Sequence, residues 1–257
     1  MDNKAKFIAF QTIVTKEVRR FMRIWVQTIV PPAITIMLYF IIFGNLIGSR
    51  IGQMGGFSYM EFVVPGLIMM GVITNSYSNV VSSFFNARFQ RHVDEMLVSP
   101  LPNYIILLGF VCGGVARGLM VGFVVTILAT FFADLSVHNI WITISIVVLT
   151  SILFSLAGFI NAVFAESFDD ISIIPTFVLT PLIYLGGVFY SIDLLPEFWA
   201  NLSQLNPILY MVNGFRYGIL GVSDINIVWA FTMTLVFIVA AFTYSLHLLN
   251  SGKKLRT

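Results

Sequence analysis

His92, His138 and His247 stand far apart in the sequence, with no H-E-x-x-H pattern and no Cys/His cluster, so the spacing that holds a zinc ion is missing. Cys112 is the single cysteine and lies in an apolar run, which excludes an intramolecular disulfide and reads as a small buried apolar residue. No Ser, His and Asp set can be argued from spacing. The phosphate-cradling pattern G-x-x-x-x-G-K-[ST] is absent too, so no ATP hydrolysis by that mechanism is expected of this chain. No catalytic residue, metal ligand or cofactor of the chain's own is therefore expected. The polar residues left to explain sit inside apolar runs. Arg117 is a charge in the middle of one, where insertion costs roughly 2.5–3.5 kcal/mol, and a structural pairing and a pathway-lining role are both open to it. Thr74 to Ser83 forms a polar half-run containing Asn75 and Asn79, whose side chains either join neighbouring helices or line a wet route.

A second polar stretch, residues 84–102, is the longest interruption between two clearly membrane-length apolar runs. It carries Arg88, Arg91, His92, Asp94 and Glu95 beside Phe89, Val93, Met96 and Leu97. Those four apolar residues fall at i, i+4, i+7 and i+8, the spacing of one helix face. The stretch predicts a short two-faced helix ended by Ser99-Pro100-Leu101-Pro102. Too short to cross a bilayer, it is expected to lie at the surface and present a face to a soluble motor.

The elements around these residues follow from composition. The chain is 58% hydrophobic and 10% charged, with a mean hydropathy of +0.92, which predicts an all-α multi-span membrane protein. A net charge of +2 is too small to suggest a nucleic-acid surface. In residues 1–25, Phe7, Phe10, Val14, Val18, Phe21 and Trp25 fall within an arc of roughly 80° at 100° per residue, and Lys16, Arg19, Arg20 and Arg23 lie opposite. This predicts a basic amphipathic helix in the headgroup plane, the alternative being a solvated charge run that only sets orientation. It does not resemble a cleaved signal peptide, since the following apolar run is too long and no small-x-small site follows.

At about 20 residues per crossing, six spans are predicted at 26–47, 60–84, 105–132, 140–164, 171–190 and 227–249, forming one domain over 26–249 with a short tail at 250–257. Six spans put both termini on one side. All but three of the 14 lysines and arginines then share that side: Arg50 and Arg216 fall opposite and Arg117 lies within a span. The bias places both ends and the 84–102 stretch in the cytoplasm. Gly109, Gly113, Gly114, Gly118 and Gly122 give small-xxx-small spacing suited to close helix packing. In the outer segment 191–226, two apolar pieces around 194–205 and 208–220 are each too short to span. They are separated by Asn206-Pro207 and carry Trp199, Tyr210 and Tyr217. A dipping hairpin and a surface loop are both open there.

With these features in place, nearly the whole chain resembles the permease subunit of type-2 ATP-binding-cassette (ABC) transporters. The resemblance rests on KEVRRFMRIWVQTIVPP, FGNLIGSRIG, FVVPGLIMM, HVDEMLVSPLP and the long block PTFVLTPLIYLGGVFYSIDLLPEFWANLSQLNPILYMVNGFRYGILG. Many members of the family have a basic residue after the glycine that follows the S-P element, whereas here Gly109 is followed by Phe110. What the resemblance implies is a homodimer in the bacterial inner membrane, contacting membrane lipids but no nucleic acid. It would work with two copies of a separately encoded ATPase that carries the ATP and Mg. Arg88, Phe89, Arg91, Val93, Asp94, Glu95, Met96 and Leu97 would match the coupling helix. Lys16, Glu17, Arg19, Arg20 and Arg23 would belong to the interface helix. Pro196, Asn206, Pro207 and Arg216 would belong to re-entrant outer helices. The implied function is export of an amphiphile such as a lipid, glycoconjugate or drug, driven by closure of the two ATPases and movement of each docked loop. A self-powered secondary carrier is disfavoured by the lack of mid-span carboxylates, Glu61 being the nearest exception, and a membrane-embedded lipid enzyme by the lack of convergent acid, base or metal residues.

Overall fold

The computed structural model describes residues 2–252. Lys253, Lys254 and Arg256, and with them most of the predicted tail, lie outside the described residues. Helix α1, Asn3–Arg23, starts where the Asp2 carboxylate accepts the Asn3 N–H at 2.7 Å. It ends at Ile24, whose backbone leaves the helical region. The chain continues directly as α2, Trp25–Gly44. A break at Ile29 precedes Pro31 and Pro32, which lack N–H donors and so sit at the first positions of the resumed helix. The Thr28 hydroxyl bridges the earlier break at Ile24, lying 3.2 Å from both the Phe21 and Ile24 carbonyls.

A two-residue antiparallel ribbon, Gln53–Met54 with Phe57–Ser58, turns the chain into α3, Tyr59–Phe89. Ser58 opens α3 with a reciprocal cap: its hydroxyl accepts the Glu61 N–H while the Glu61 carboxylate accepts the Ser58 N–H. At 31 residues α3 is about 46 Å long, well beyond the ~30 Å of a hydrocarbon core. It is also the axis of the molecule, buried along most of its length. Two residues after it ends, the short α4, His92–Val98, begins.

Helices α5, Asn103–Ala129, and α6, Ile140–Phe164, pack on α3. The glycines of α5 make that approach possible. A side chain at Gly118 would sit on the Ser76 hydroxyl, and one at Gly114 would sit on that of Ser155. Near the α4 end of the bundle, the Phe84 ring lies 5.2 Å from Phe110 and 4.3 Å from Phe159, locking the three helices together.

The Asp170 carboxylate accepts the backbone N–H groups of Glu166 and Ser167, and α7, Asp170–Tyr184, starts there. The apolar run predicted as a fifth span over 171–190 is helical only to Tyr184. Gly186 and Gly187 follow, Gly187 at φ +72°, and the chain leaves the helix. Fifteen residues reach about 22 Å, short of the hydrocarbon core. Among the described residues, five helices are long and apolar enough to cross a membrane: α2, α3, α5, α6 and the last one, α10, Ile227–Ser251. Between α7 and α10 lie α8, Glu197–Ser203, and α9, Pro207–Leu220. Asn206 joins them, accepting the Ile208 N–H and donating to the Leu182 carbonyl at 2.6 Å, so the α8–α9 corner sits on the end of α7. Helix α9 is largely buried against α3, α6 and α10.

Candidate functional site

The polar half of α3 is occupied mainly by other helices. Glu17 of α1 is fully buried: it accepts a 2.6 Å bond from the Ser83 hydroxyl and lies 3.4 Å from the Arg20 Nε. The Arg20 guanidinium continues onto Asn79, donating to its backbone oxygen at 3.0 Å and its side-chain oxygen at 2.8 Å. Gly113 of α5 lets Glu17 in, since a Cβ there would come within 2.5 Å of the Glu17 Cβ; at Gly109 the same role falls to Ile13. Ile13, Glu17 and Phe21 therefore form the protein-facing stripe of α1 at i, i+4 and i+8. This corrects the expected two-faced helix. The buried stripe runs along one edge of the apolar arc, leaving Phe7 and Trp25 more than half exposed on its far side. Lys16, Arg19 and Arg23 are exposed as expected. Glu17 was grouped with them by sequence, yet is the charge at the centre of the contact.

One turn further along α3, Asn75 and Arg117 meet. The Arg117 Nη2 donates to the Asn75 Oδ1 at 3.0 Å and lies 3.4 Å from the Thr28 carbonyl, while Asn75 Nδ2 donates to the Gly71 carbonyl of its own helix. Arg117 thus meets two neutral oxygens, both through Nη2, while its buried Nε has no partner. It also borders a cavity of about 340 Å³ between α2, α3 and α5, lined by Gln27, Thr35, Thr74, Asn75 and Ser78 among others. Asn79 therefore faces the neighbouring helices, while Thr74, Asn75 and Ser78 border the cavity, Asn75 through the same side chain that meets Arg117.

The surface helix forms, with a changed face. Helix α3 runs on through Phe89, and Arg91 then adopts the left-handed conformation at φ 62°, so Phe89 does not share a helix with Val93. Phe89 is 64% exposed, and its ring stacks with Phe85 and meets Phe168 edge-on. Val93 is buried, and Met96 and Leu97 pack on the core, so the apolar face of α4 is spent on its own chain. What points outward is Arg91, His92, Glu95 and Val98, the last 87% exposed, with Asp94 half-buried. Arg88 also turns inward. Its guanidinium donates to the carbonyls of Ala162, Val163 and Ala165, satisfying the end of α6.

At the opposite end of the bundle, Arg216 of α9 is fully buried. Its Nη2 donates to the Gly187 carbonyl at 2.6 Å, and its guanidinium lies 3.9 Å over the Phe62 ring. Asn206 and Pro207 open α9, and Pro196 precedes α8.

Against known proteins, the family model described as "ABC-2 type transporter" matches residues 8–220. The chain is 60% identical over 252 residues to "Inner membrane transport permease YadH" of Escherichia coli (strain K12), covering 98% of each chain. The protein of that name from Shigella flexneri matches to the same extent. "Nodulation protein J" of Rhizobium leguminosarum bv. viciae is 22% identical over 215 residues, 83% of each chain.

Proposed function

The chain belongs to the ABC-2 type transporter family, and on that premise we propose that it is the membrane-embedded permease of an exporter powered by a separate ATPase. It resides in a bacterial inner membrane as a homodimer, and its cargo is an amphiphile. Both termini and α4 face the cytoplasm. The α8–α9 pair re-enters the membrane from outside and caps the short α7, which with it completes the fifth of six crossings. Two ATPase copies, holding ATP and Mg, dock beneath the two permease chains.

The observation that carries this reading is the junction at Phe89–His92. There the most buried helix hands over within two residues to a surface helix whose apolar side is already satisfied. A push on the outward face of α4 acts directly on α3, and through Glu17, Arg20 and Asn79 on α1. That is the connection a motor needs to move rigid helices between two arrangements.

The test is reconstitution. The chain in proteoliposomes with its ATPase moves labelled amphiphiles in an ATP-dependent manner, across a panel of lipids, glycoconjugates and drugs. Movement of cargo by the purified chain with no ATPase present overturns the reading.

A further inference from the structure

The charges of the polar seam do not balance. Glu17 is matched by Arg20, but among the described residues no carboxylate lies within 4 Å of Arg117. Its two hydrogen bonds both leave from Nη2 toward neutral oxygens, and its buried Nε has no partner. A cation held in a membrane by neutral groups alone is costly, and a counter-ion would offset that cost. The space for one is at hand in the cavity of about 340 Å³ that Arg117 borders.

The walls of that cavity say what kind of anion fits. Gln27 and Thr35 share one face of α2 at i and i+8 with the apolar Pro31 between them, and Thr74 and Ser78 line the same cavity at i and i+4 on α3. Pro32, Ile36 and Met70 supply further apolar surface. An inorganic anion would have to surrender its hydration to enter this mixture. A charged head carried on an alkyl chain would not, because the tail gains from the apolar lining and the surrounding acyl phase.

We propose that this cavity receives the anionic head of an amphiphilic cargo, with Arg117 as its counter-ion and Thr74 and Ser78 as hydrogen-bonding partners. The proposal rests on the permease reading for the word cargo, and on the cavity alone for the binding.

The experiment measures equilibrium binding of radiolabelled dodecyl phosphate to the chain in phosphatidylcholine nanodiscs, with dodecyl maltoside and dodecyltrimethylammonium as competitors. Saturable binding is expected, about tenfold weaker in Arg117→Gln and close to wild type in Arg117→Lys. The neutral and cationic competitors should displace the probe poorly. A Thr74→Val, Ser78→Ala double variant, which leaves the contacts between α1, α3 and α5 untouched, should weaken binding about threefold and guards against a folding effect of Arg117→Gln. Equal affinity of wild type and Arg117→Gln, or equal competition by all three head groups, overturns the site. Displacement of the probe by phosphatidylglycerol in the disc makes the cavity a seat for resident lipid and overturns the cargo assignment. No ATPase is needed for any of these arms. Selective binding by a chain that fails to couple to an ATPase would therefore sink the permease reading alone, and coupled transport unaffected by Arg117→Gln would sink the site alone.

Discussion

The Ser83 hydroxyl donates a 2.6 Å hydrogen bond to the Glu17 carboxylate, tying α1 to α3 where both side chains are buried. Glu17 also faces Arg20, which is itself bonded to Asn79. Removing the acid leaves a half-buried cation and a buried hydroxyl without their partner, the situation in which breaking a buried pair costs about 3–5 kcal/mol. Glu17→Ala should lower the thermal midpoint of the detergent-solubilised protein clearly more than Arg19→Ala, an exposed neighbour on the same helix. A Glu17→Ala, Arg20→Ala double variant should recover part of the loss, and strict additivity of the two single effects would show that the pair is uncoupled.

Gly113 admits α1 by having no side chain. A methyl group there would press to 2.5 Å from the Glu17 Cβ, which is too near the α1 backbone to swing aside. Gly113→Ala should therefore lift α1 from α5 at a cost of about 1–3 kcal/mol. Arg19 and Arg23 are exposed in the parent and become faster sites of tryptic cleavage once α1 is loosened. Unchanged cleavage rates would mean that α1 is held by something other than this contact.

Arg88 lies in the stretch that sequence assigns to a docking surface, and the structure gives it a different task. Its guanidinium binds the carbonyls of Ala162, Val163 and Ala165, joining the end of α3 to the end of α6. Hydrogen bonds to a charged group contribute about 1.5–3 kcal/mol net each. Arg88→Ala should lower the unfolding temperature and also weaken ATPase retention, because α4 follows from a loosened α3. Arg88→Lys should restore less than half of the effect, since an ammonium cannot span three carbonyls with a planar fork. Loss of the ATPase with an unchanged melting temperature would instead make Arg88 a direct contact.

How much of this was legible in the sequence depends on which physical quantity the pattern encodes. Hydropathy finds α2, α3, α5, α6 and α10, because burial in lipid demands a long apolar run. It overextends α7, because Gly186 and Gly187 end the helix while the apolar run continues to Val188 and Phe189. Periodicity finds α1 but misplaces its contact, since an arc of apolar residues does not reveal whether lipid or protein covers it. A signal for Glu17 was present all the same: Ile13, Glu17 and Phe21 put a lone acid on an i, i+4, i+8 stripe away from the arginines. The surface helix shows a third limit. Spacing joins Phe89 to Val93, but the left-handed turn at Arg91 cuts the register between them, and no apolar pattern reports a backbone angle.

That cut changes which substitutions ought to separate docking from folding. Val93 is buried and Met96 packs on the core, so an aspartate at either position places a charge in the protein interior and should cost stability first. Val98 is 87% exposed and Glu95 points the same way, so neither contributes to the fold of the free chain. A soluble ATPase that closes over α4 would bury Val98, and a charge introduced there would then be desolvated without a partner. Val98→Asp should accordingly keep the melting temperature of the parent and lose the ATPase in a detergent pull-down, while Val93→Asp should lose stability whether or not the ATPase is present. If Val98→Asp retains the ATPase as well as the parent does, the partner binds elsewhere, and the outward side of α4 is only a solvated turn.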